Sequence, residues 1–353
     1  MGGVQKGGVG LALSYYQQVV APLLQARWPG LPHAAARLGS GSDVLGLDDV
    51  LSRDHDWGLR LTLLVHRGHI EAVDAFLQQE LPETYRGWPT RFGTAWKAKV
   101  HHQVEVATAE DFAASRLGIA VDADWDAIDW LSLTGQSVLE VAGGAVFADT
   151  LGELSEIRRR LLWYPADVWC YVVAVDWQRI SQELPFVGRS GSRGDDVGSR
   201  LLTGHLVGVA MHLSFLLDRC WPPYSKWFGS SFLELPVADT LSPVVTMALT
   251  ASTWRDRQTA LVEALEILHE EQRRSGLPTG QAAVEPFFDR PFASVAASVS
   301  QVLLADITDP LVRRLPSGVG SVEQWVNNVD VLSNPDRRLA VMQSWRSLLL
   351  REL

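Results

Sequence analysis

The chain has few cysteines, no surplus of positive charge and no long hydrophobic run. Its two cysteines cannot form a framework of several disulfides and are not spaced as zinc ligands. Its 41 acidic against 31 basic side chains give a net charge of −10, which repels polyanions, so no long nucleic acid is expected as a partner. The most apolar stretch, 201–217, is too short to cross a bilayer, and the opening MGGVQKGGVG lacks the apolar segment of a signal peptide. These absences predict a cytoplasmic protein without a membrane partner.

The 353 residues, 47% of them hydrophobic, suffice for two folded domains. In the first half, predicted strands alternate with predicted helices; after Trp163 long runs of helical periodicity follow, with no evident alternating strand. The predicted strands are 34–38, 54–65, 100–107 and 145–149, and the predicted helices of the first half are 14–27, 69–81, 111–117 and 154–162. We therefore predict an α+β fold, with a mixed β-sheet flanked by helices in a domain over 1–164 and a helical bundle over 165–353. The Gly-, Ser- and Arg-rich segment 188–198 is predicted to be a loop inside the bundle.

A turn of small residues, Gly39-Ser40-Gly41-Ser42-Asp43, follows the first predicted strand. Its backbone N–H groups and hydroxyls suit the phosphates of a nucleoside triphosphate, which larger side chains would obstruct. After a further gap, Asp54 and Asp56 lie side by side on the polar face of the next predicted strand, and Glu105 lies on the polar face of another. Carboxylates in this arrangement suit Mg²⁺, and two such ions clamp the oxygens of an in-line phosphoryl displacement. The alternative is that the acids only solubilise exposed strand faces.

The histidines point to no metal site by their spacing. His55-Asp56 resembles the pair of a metal-dependent phosphohydrolase, but that chemistry presents its ligands from helices, and this pair lies in a predicted strand. His205 and His212 are seven residues apart on one predicted helix, too far for a zinc pair, and are interpreted as core or interface residues. The neighbours His101 and His102 are expected on opposite strand faces, where they could not chelate together.

A Gly-Ser followed after a gap by Asp-x-Asp on a strand resembles the signature of the polymerase-beta-type nucleotidyltransferase superfamily. The string GSGSDVLGLDDVLSRDHDWG from Gly39 is similar to the bacterial domain-of-unknown-function 4037 (DUF4037) family within it. Further likeness lies in WYPADVWCYVVAVDWQRISQELPFVGR, PYSKWFGSSFLELP and EPFFDRPF. Trp96-Lys97 before Val104-Glu105-Val106 is similar to the kanamycin nucleotidyltransferases. One departure is His55, where the family has an apolar residue.

The resemblance implies the roles of individual residues. Asp54, Asp56 and Glu105 would be catalytic metal ligands for two Mg²⁺ ions, and Glu183 would be the counterpart of the general base. The nucleotide would be held by the turn, with the candidate residues Gly39, Ser40, Ser42 and Asp43.

Cations from the second half are expected to complete the nucleotide site, because a triphosphate carries more charge than two Mg²⁺ ions neutralise. Lys226 is the first candidate, with Arg189 and Arg193 next. The alternatives are a surface lysine beside Trp227 and an arginine loop that is remote from the site.

The predicted function is Mg²⁺-dependent transfer of a nucleoside monophosphate, with AMP from ATP expected, to a hydroxyl of a small-molecule acceptor, with release of pyrophosphate. Two other classes stay open. One is a nucleotide-binding or interaction protein that kept the fold without the chemistry, and the other is an enzyme that places AMP on a partner protein. The oligomeric state and the acceptor are not predicted.

Overall fold

The structure is a computed structural model that describes residues 7–51, 57–93 and 99–351. The chain divides into two compact units. The first comprises the described residues of Met1–Asp124 with Gln136–Leu162, and the second comprises Trp125–Gly135 with the described residues of Trp163–Leu353. The assignment of a catalytic domain to 1–164 and a helical domain to 165–353 stays a prediction.

The first unit is built on a four-stranded mixed sheet. The strands, in chain order, are β1 His33–Arg37, β2 Leu61–Val65, β3 Thr84–Tyr85, β4 Trp88–Pro89, β5 Arg91–Phe92, β6 His101–His102, β7 Val104–Ala107, β8 Ala145–Asp149, β9 Val284–Pro286 and β10 Ala293–Val295. The order in the main sheet is β7-β2-β1-β8, with β1 antiparallel to both neighbours and β2 parallel to β7. The carboxyl end of β1 therefore meets the amino ends of β2 and β7 at one edge, and the mixed sheet predicted for the first half is confirmed.

Helices flank this sheet and form most of the second unit. They are α1 Gly7–Tyr15, α2 Ala21–Arg27, α3 Ile70–Glu80, α4 Ala109–Leu117, α5 Ala127–Ser132, α6 Gly135–Ala142, α7 Glu153–Arg160, α8 Ala166–Ser192, α9 Asp196–Leu217, α10 Ser225–Phe232, α11 Ala238–Thr250, α12 Trp254–Ser275, α13 Ser298–Asp306, α14 Val322–Trp325, α15 Val329–Leu332 and α16 Pro335–Arg351. A π-helical turn, Tyr16–Val20, joins α1 to α2. The predicted α+β class with a helical second half is confirmed.

One face of the sheet carries the core of the first unit. Leu61, Leu63 and Val104 pack there against Val73 and Leu77 of α3, which are four residues apart and so share a helix face. The opposite face carries side chains of the other parity. The apolar side chains of α3 thus face those of the strands, and α3 covers the face of the sheet that carries the core.

Two predicted strands of the first unit are shorter in the structure. The described part of 54–65 is a strand only over Leu61–Val65, and all five of its residues are buried, including Thr62 of the predicted polar face. The predicted strand 100–107 is broken at Gln103 into β6 and β7. The side-chain amide of Gln103 turns instead to the carbonyl of Phe92, at 2.6 Å.

The segment 188–198 is not a loop, contrary to the prediction. Helix α8 continues to Ser192 and α9 begins at Asp196. A Cβ added to Gly188 would lie 2.5 Å from the ring of Phe292, and one added to Gly191 would lie 2.3 Å from Cβ of Trp254. These glycines therefore permit close helix packing.

The second unit contains a small two-stranded sheet, β9 with β10, where helical runs alone are predicted. The apolar stretch 201–217, predicted to be too short to cross a bilayer, belongs to the longer helix α9. By length and composition α9 could cross a membrane, the one such helix among the described residues, but 56% of its apolar window is buried inside the structure. The core helix of a soluble protein has the same properties.

A charged network lies inside the second unit. Asp176 of α8 is fully buried and accepts hydrogen bonds from His212 Nδ1 at 2.6 Å, Arg179 at 2.7 Å and Gln324 Nε2 at 2.8 Å. The other ring nitrogen of His212 lies 3.8 Å from Glu323 Oε1. Burial by itself lowers the pKa of His212, but the negative charges of Asp176 and Glu323 and the hydrogen bond to Asp176 outweigh it and raise this pKa to about 9. His212 is therefore a core histidine, held in its charged form.

We expect His212 to couple folding to pH. Its folded pKa lies above its ordinary value of 6.5, so its contribution to stability is complete below pH 6.5 and is lost as the pH rises to about 9. By linkage the loss is on the order of 3 kcal/mol. Urea unfolding at pH 6.5 and pH 9 should show the free energy of unfolding falling by this amount in the wild type and much less in His212→Gln.

His205→Gln is the matched control, since His205 lies on the same helix and is half exposed, paired with Glu183. It should retain the wild-type pH dependence. An equal fall in wild type and His212→Gln would show that the stability loss has another source.

Candidate functional site

The turn after β1 requires glycine at two positions. Gly39 adopts φ +82°, and its N–H donates to the carbonyl of Glu140 at 2.8 Å. Gly41 adopts φ +142°, and a Cβ there would lie 2.4 Å from Asp43 Oδ1 and 2.5 Å from Arg37 Nη2. Both conformations favour glycine, and at Gly41 no side chain fits.

A buried ion pair stabilises this turn. Arg37 and Asp43 are each 3% exposed, and they pair through two hydrogen bonds, Nε to Oδ2 at 2.7 Å and Nη2 to Oδ1 at 2.8 Å. Arg37 also donates to the carbonyls of Leu38 and Ser40. The carbonyl of Ser42 accepts from two later backbone N–H groups of the same turn, at 3.2 and 2.8 Å. The structure thus uses Asp43 to shape the turn, whereas its contact with a nucleotide stays a prediction.

Glu105 lies at the same edge of the sheet. Its Cα partner on β2 is Thr62, so it projects from the face opposite to the core of the first unit, and it is exposed. Arg116 of α4 donates to both Glu105 oxygens, at 2.9 and 2.8 Å. A Cβ added to Gly39 would lie 3.5 Å from the same Nη2 of Arg116. Arg116 therefore binds Glu105 and lies beside Gly39 of the turn.

A further arginine lies beside the turn. Arg60, just before β2, donates from Nη1 to the carbonyl of Ser40 at 3.2 Å. Burial and, after it, the positive charges of Arg37 and Arg116 together lower the pKa of its guanidinium to about 10, while Asp43 and Glu105 act in the opposite direction. The edge of the sheet thus brings three guanidinium groups near a turn of small residues, although Arg37 is buried in its ion pair. Guanidinium groups are common ligands of oxyanions.

Sequence reasoning missed Arg60 and Arg116, because it sought cations in the second half. For Arg60 a signal existed, since it precedes Thr62 by two residues and shares its strand parity. For Arg116 no local signal existed, because the residue reaches Glu105 from the following helix. The predicted ligands Asp54 and Asp56 lie outside the described residues, as do Trp96 and Lys97.

The other predicted site residues lie in the second unit. Glu183 is half-buried on α8, and its Oε2 lies 2.7 Å from His205 Nδ1. Arg189 is exposed, in helix α8 and not in the predicted loop. Lys226 is exposed, with Nζ 4.9 Å from the ring centroid of Trp227, the contact expected of a surface lysine.

Residues 130–228 match the family model of DUF4037, a domain of unknown function. No curated protein matches the chain. Among solved structures, a nucleotidyltransferase-like protein from Exiguobacterium sibiricum 255-15 is similar, with 13% identity, a TM-score of 0.34 and coverage of 75% of this chain and 78% of that chain. The predicted resemblance to the DUF4037 family is confirmed over residues 130–228.

Proposed function

We propose that the chain is a cytoplasmic nucleotidyltransferase that moves a nucleoside monophosphate, AMP from ATP in the first instance, to a hydroxyl of a small-molecule acceptor and releases pyrophosphate. One observation carries the proposal: the Gly39–Ser40 turn and Glu105 lie at one edge of one sheet, and the Arg116 side chain that binds Glu105 lies beside Gly39. In the sequence, Asp54 and Asp56 come shortly before β2, although both lie outside the described residues. The turn would hold phosphates, and the carboxylates would hold metal.

The donor chemistry at this edge fits Mg²⁺, which prefers oxygen ligands, and Glu105 presents an exposed carboxylate. In the proposal Asp54, Asp56 and Glu105 hold two Mg²⁺ ions, which when bound polarise the transferred phosphoryl group and neutralise its charge. Arg60 and Arg116 supply further positive charge beside the turn. Positioning and electrostatics then favour attack of the acceptor hydroxyl on the α-phosphorus, with pyrophosphate as the leaving group.

The second unit would supply the remaining groups. Glu183 is proposed as the general base that takes the proton of the acceptor hydroxyl, with the hydrogen bond from His205 orienting its carboxylate. Lys226 and Arg189, both exposed cations, are proposed as additional phosphate ligands.

Replacing the predicted metal ligands should abolish transfer. We expect Asp54→Asn, Asp56→Asn and Glu105→Gln each to remove pyrophosphate release, because amides are poor substitutes for anionic Mg²⁺ ligands. The assay supplies α-phosphate-labelled ATP, Mg²⁺ and the small-molecule fraction of a cell extract, and measures pyrophosphate and labelled product.

A second Asp-x-Asp in the same unit, Asp122-Ala123-Asp124, is exposed and provides the control. The double variant Asp122→Asn/Asp124→Asn should keep wild-type activity. Undiminished transfer in Asp54→Asn and Asp56→Asn would disprove the site. If the wild type releases no pyrophosphate and the variants still bind ATP, the protein belongs to the non-catalytic class. If the label appears on a protein in whole extract, it belongs to the protein-modifying class.

Arg60→Gln should weaken binding of ATP with Mg²⁺ by about 10- to 100-fold, the effect of losing one charge-assisted hydrogen bond. Calorimetric titration measures this without knowledge of the acceptor. Arg67→Gln is the control, because Arg67 is exposed in the same unit and pairs with Asp111. Equal affinities of wild type and Arg60→Gln would contradict a phosphate-binding role for Arg60.

Glu183→Gln should lower kcat by about 10²- to 10⁴-fold, the range of general-base catalysis, and should leave ATP affinity unchanged. His205→Gln should lower kcat less, because it removes only the orienting hydrogen bond. The pH profile separates the roles, since the acidic limb of kcat should disappear in Glu183→Gln. A retained limb would assign the base to another residue.

A further inference from the structure

His101 and His102 do not point apart, contrary to the prediction from strand alternation. Their ring centroids lie 4.1 Å from each other. His101 turns back on the chain, with Nδ1 3.0 Å from the carbonyl oxygen of His102. The reason is that β6 is only two residues long, so the alternation of a regular strand does not extend through it. The two imidazole rings therefore lie close together, near enough to bind one ion.

Asp74 of α3 lies against both imidazoles. His102 Nε2 lies 3.3 Å from Asp74 Oδ1, and His101 Nε2 lies 3.7 Å from Asp74 Oδ2. The main-chain oxygen of Asp74 lies 3.2 Å from the same His102 nitrogen. One ligand atom from each of the three side chains falls within 4.8 Å of the others. A tetrahedral Zn²⁺ ion with ligands at about 2.1 Å separates its ligand atoms by about 3.4 Å, close to the two nitrogen–oxygen distances of 3.3 and 3.7 Å.

The other contacts of His101 prepare it for a metal ion. A hydrogen bond from Nδ1–H to a backbone carbonyl fixes the tautomer in which the Nε2 lone pair is available, and this is the usual support of a metal-bound histidine. Asp74 and His101 have side chains that are 41% and 38% exposed, so water can complete the coordination, whereas the side chain of His102 is fully buried. The main-chain oxygen of Asp74 accepts a hydrogen bond from His102 Nε2, so this nitrogen becomes a ligand only when the proton moves to Nδ1. The three groups then offer two nitrogens, one carboxylate and an open side.

Regular structure holds these ligands in place. Gln78, one helical turn after Asp74, accepts from the backbone N–H of His102 at 3.4 Å, and Arg91 of β5 donates to the carbonyls of Gln78 and Leu81 at 2.6 and 3.0 Å. Strand β5 pairs with β6 in turn. The β5–β6 pair is therefore docked on α3 by contacts other than the histidines themselves.

We infer that Asp74, His101 and His102 form a binding site for a divalent transition metal ion of the zinc class, which clamps α3 to the strand leading into β7. Two imidazoles and a carboxylate select Zn²⁺ and its neighbours over Mg²⁺, which prefers oxygen ligands alone. The site is separate from the proposed catalytic edge. Helix α3 covers the core face of the sheet, whereas Glu105 projects from the opposite face.

The test is an equilibrium titration of the full chain with Zn²⁺ against a chromophoric chelator, in excess Mg²⁺ to occupy oxygen sites. Wild type should bind one saturable equivalent. His101→Ala and Asp74→Asn should each weaken binding by at least about tenfold, since they remove a ligand from a three-ligand set. Bound Co²⁺ should show visible absorption in the wild type that is lost in the same variants, and Zn²⁺ should raise the thermal midpoint of the wild type alone.

Two controls keep the result specific. His66→Ala removes a histidine that lies 3.8 Å from Glu153 in the same unit without a third ligand, and it should bind as the wild type does. Asp54→Asn/Asp56→Asn should also retain the Zn²⁺ equivalent. Absence of saturable binding, undiminished binding in His101→Ala, or loss of binding in Asp54→Asn/Asp56→Asn would each overturn the inference; the last would place the ion at the proposed catalytic edge.

Discussion

The buried ion pair between Arg37 and Asp43 fixes the turn on which the candidate site depends. Removing two charges from water is costly, and two direct hydrogen bonds with two further bonds to carbonyls offset that cost here. The pair joins the two ends of the segment that contains Gly39 and Ser40, and Arg37 also binds the Ser40 carbonyl within it. Loss of one partner would leave a buried charge uncompensated, at about 3–5 kcal/mol. The role of the pair is therefore to position the turn, because Arg37 binds the carbonyls of Leu38 and Ser40 at the sheet edge.

The same edge brings three guanidinium groups close together. Arg37 pairs with Asp43, and Arg116 pairs with Glu105 and, at 3.5 Å, with Glu140, while the hydrogen bond described for Arg60 is to a carbonyl. The lowered pKa of Arg60 records the resulting repulsion together with its burial. A bound polyanion would relieve that repulsion, and a divalent cation at Glu105 would compete with Arg116. Phosphate and metal would thus bind more favourably together than either alone, as a nucleotide–Mg²⁺ complex requires.

The sequence predicts those elements whose hydrophobic periodicity is regular. The predictions are wrong where a residue has a role that its type and local pattern do not indicate. Strand β1, helix α3 and strand β8 follow from short local patterns, and the structure has them within one or two residues. Gly188 and Gly191 look like loop residues, because a single sequence does not distinguish glycine for flexibility from glycine for close packing against Trp254. His101 was misplaced because alternation was extended through a strand of two residues. Arg116 was missed because it reaches the site from another element, which no local pattern encodes.

Alternation along β7 separates two kinds of ligand chemistry. Glu105 faces away from the core of the first unit, where carboxylate and guanidinium groups meet at the turn after β1. Asp74 belongs to the helix that covers the core face, and it meets imidazoles there. A one-residue shift in the register of β7 would exchange these faces and bury Glu105. The break at Gln103 separates the two strands. Strand β6 contacts α3 through His102, while β7 keeps Glu105 at the edge of the main sheet. The carboxylate of Glu105 and the two imidazoles are thereby kept apart, as two separate metal sites would require.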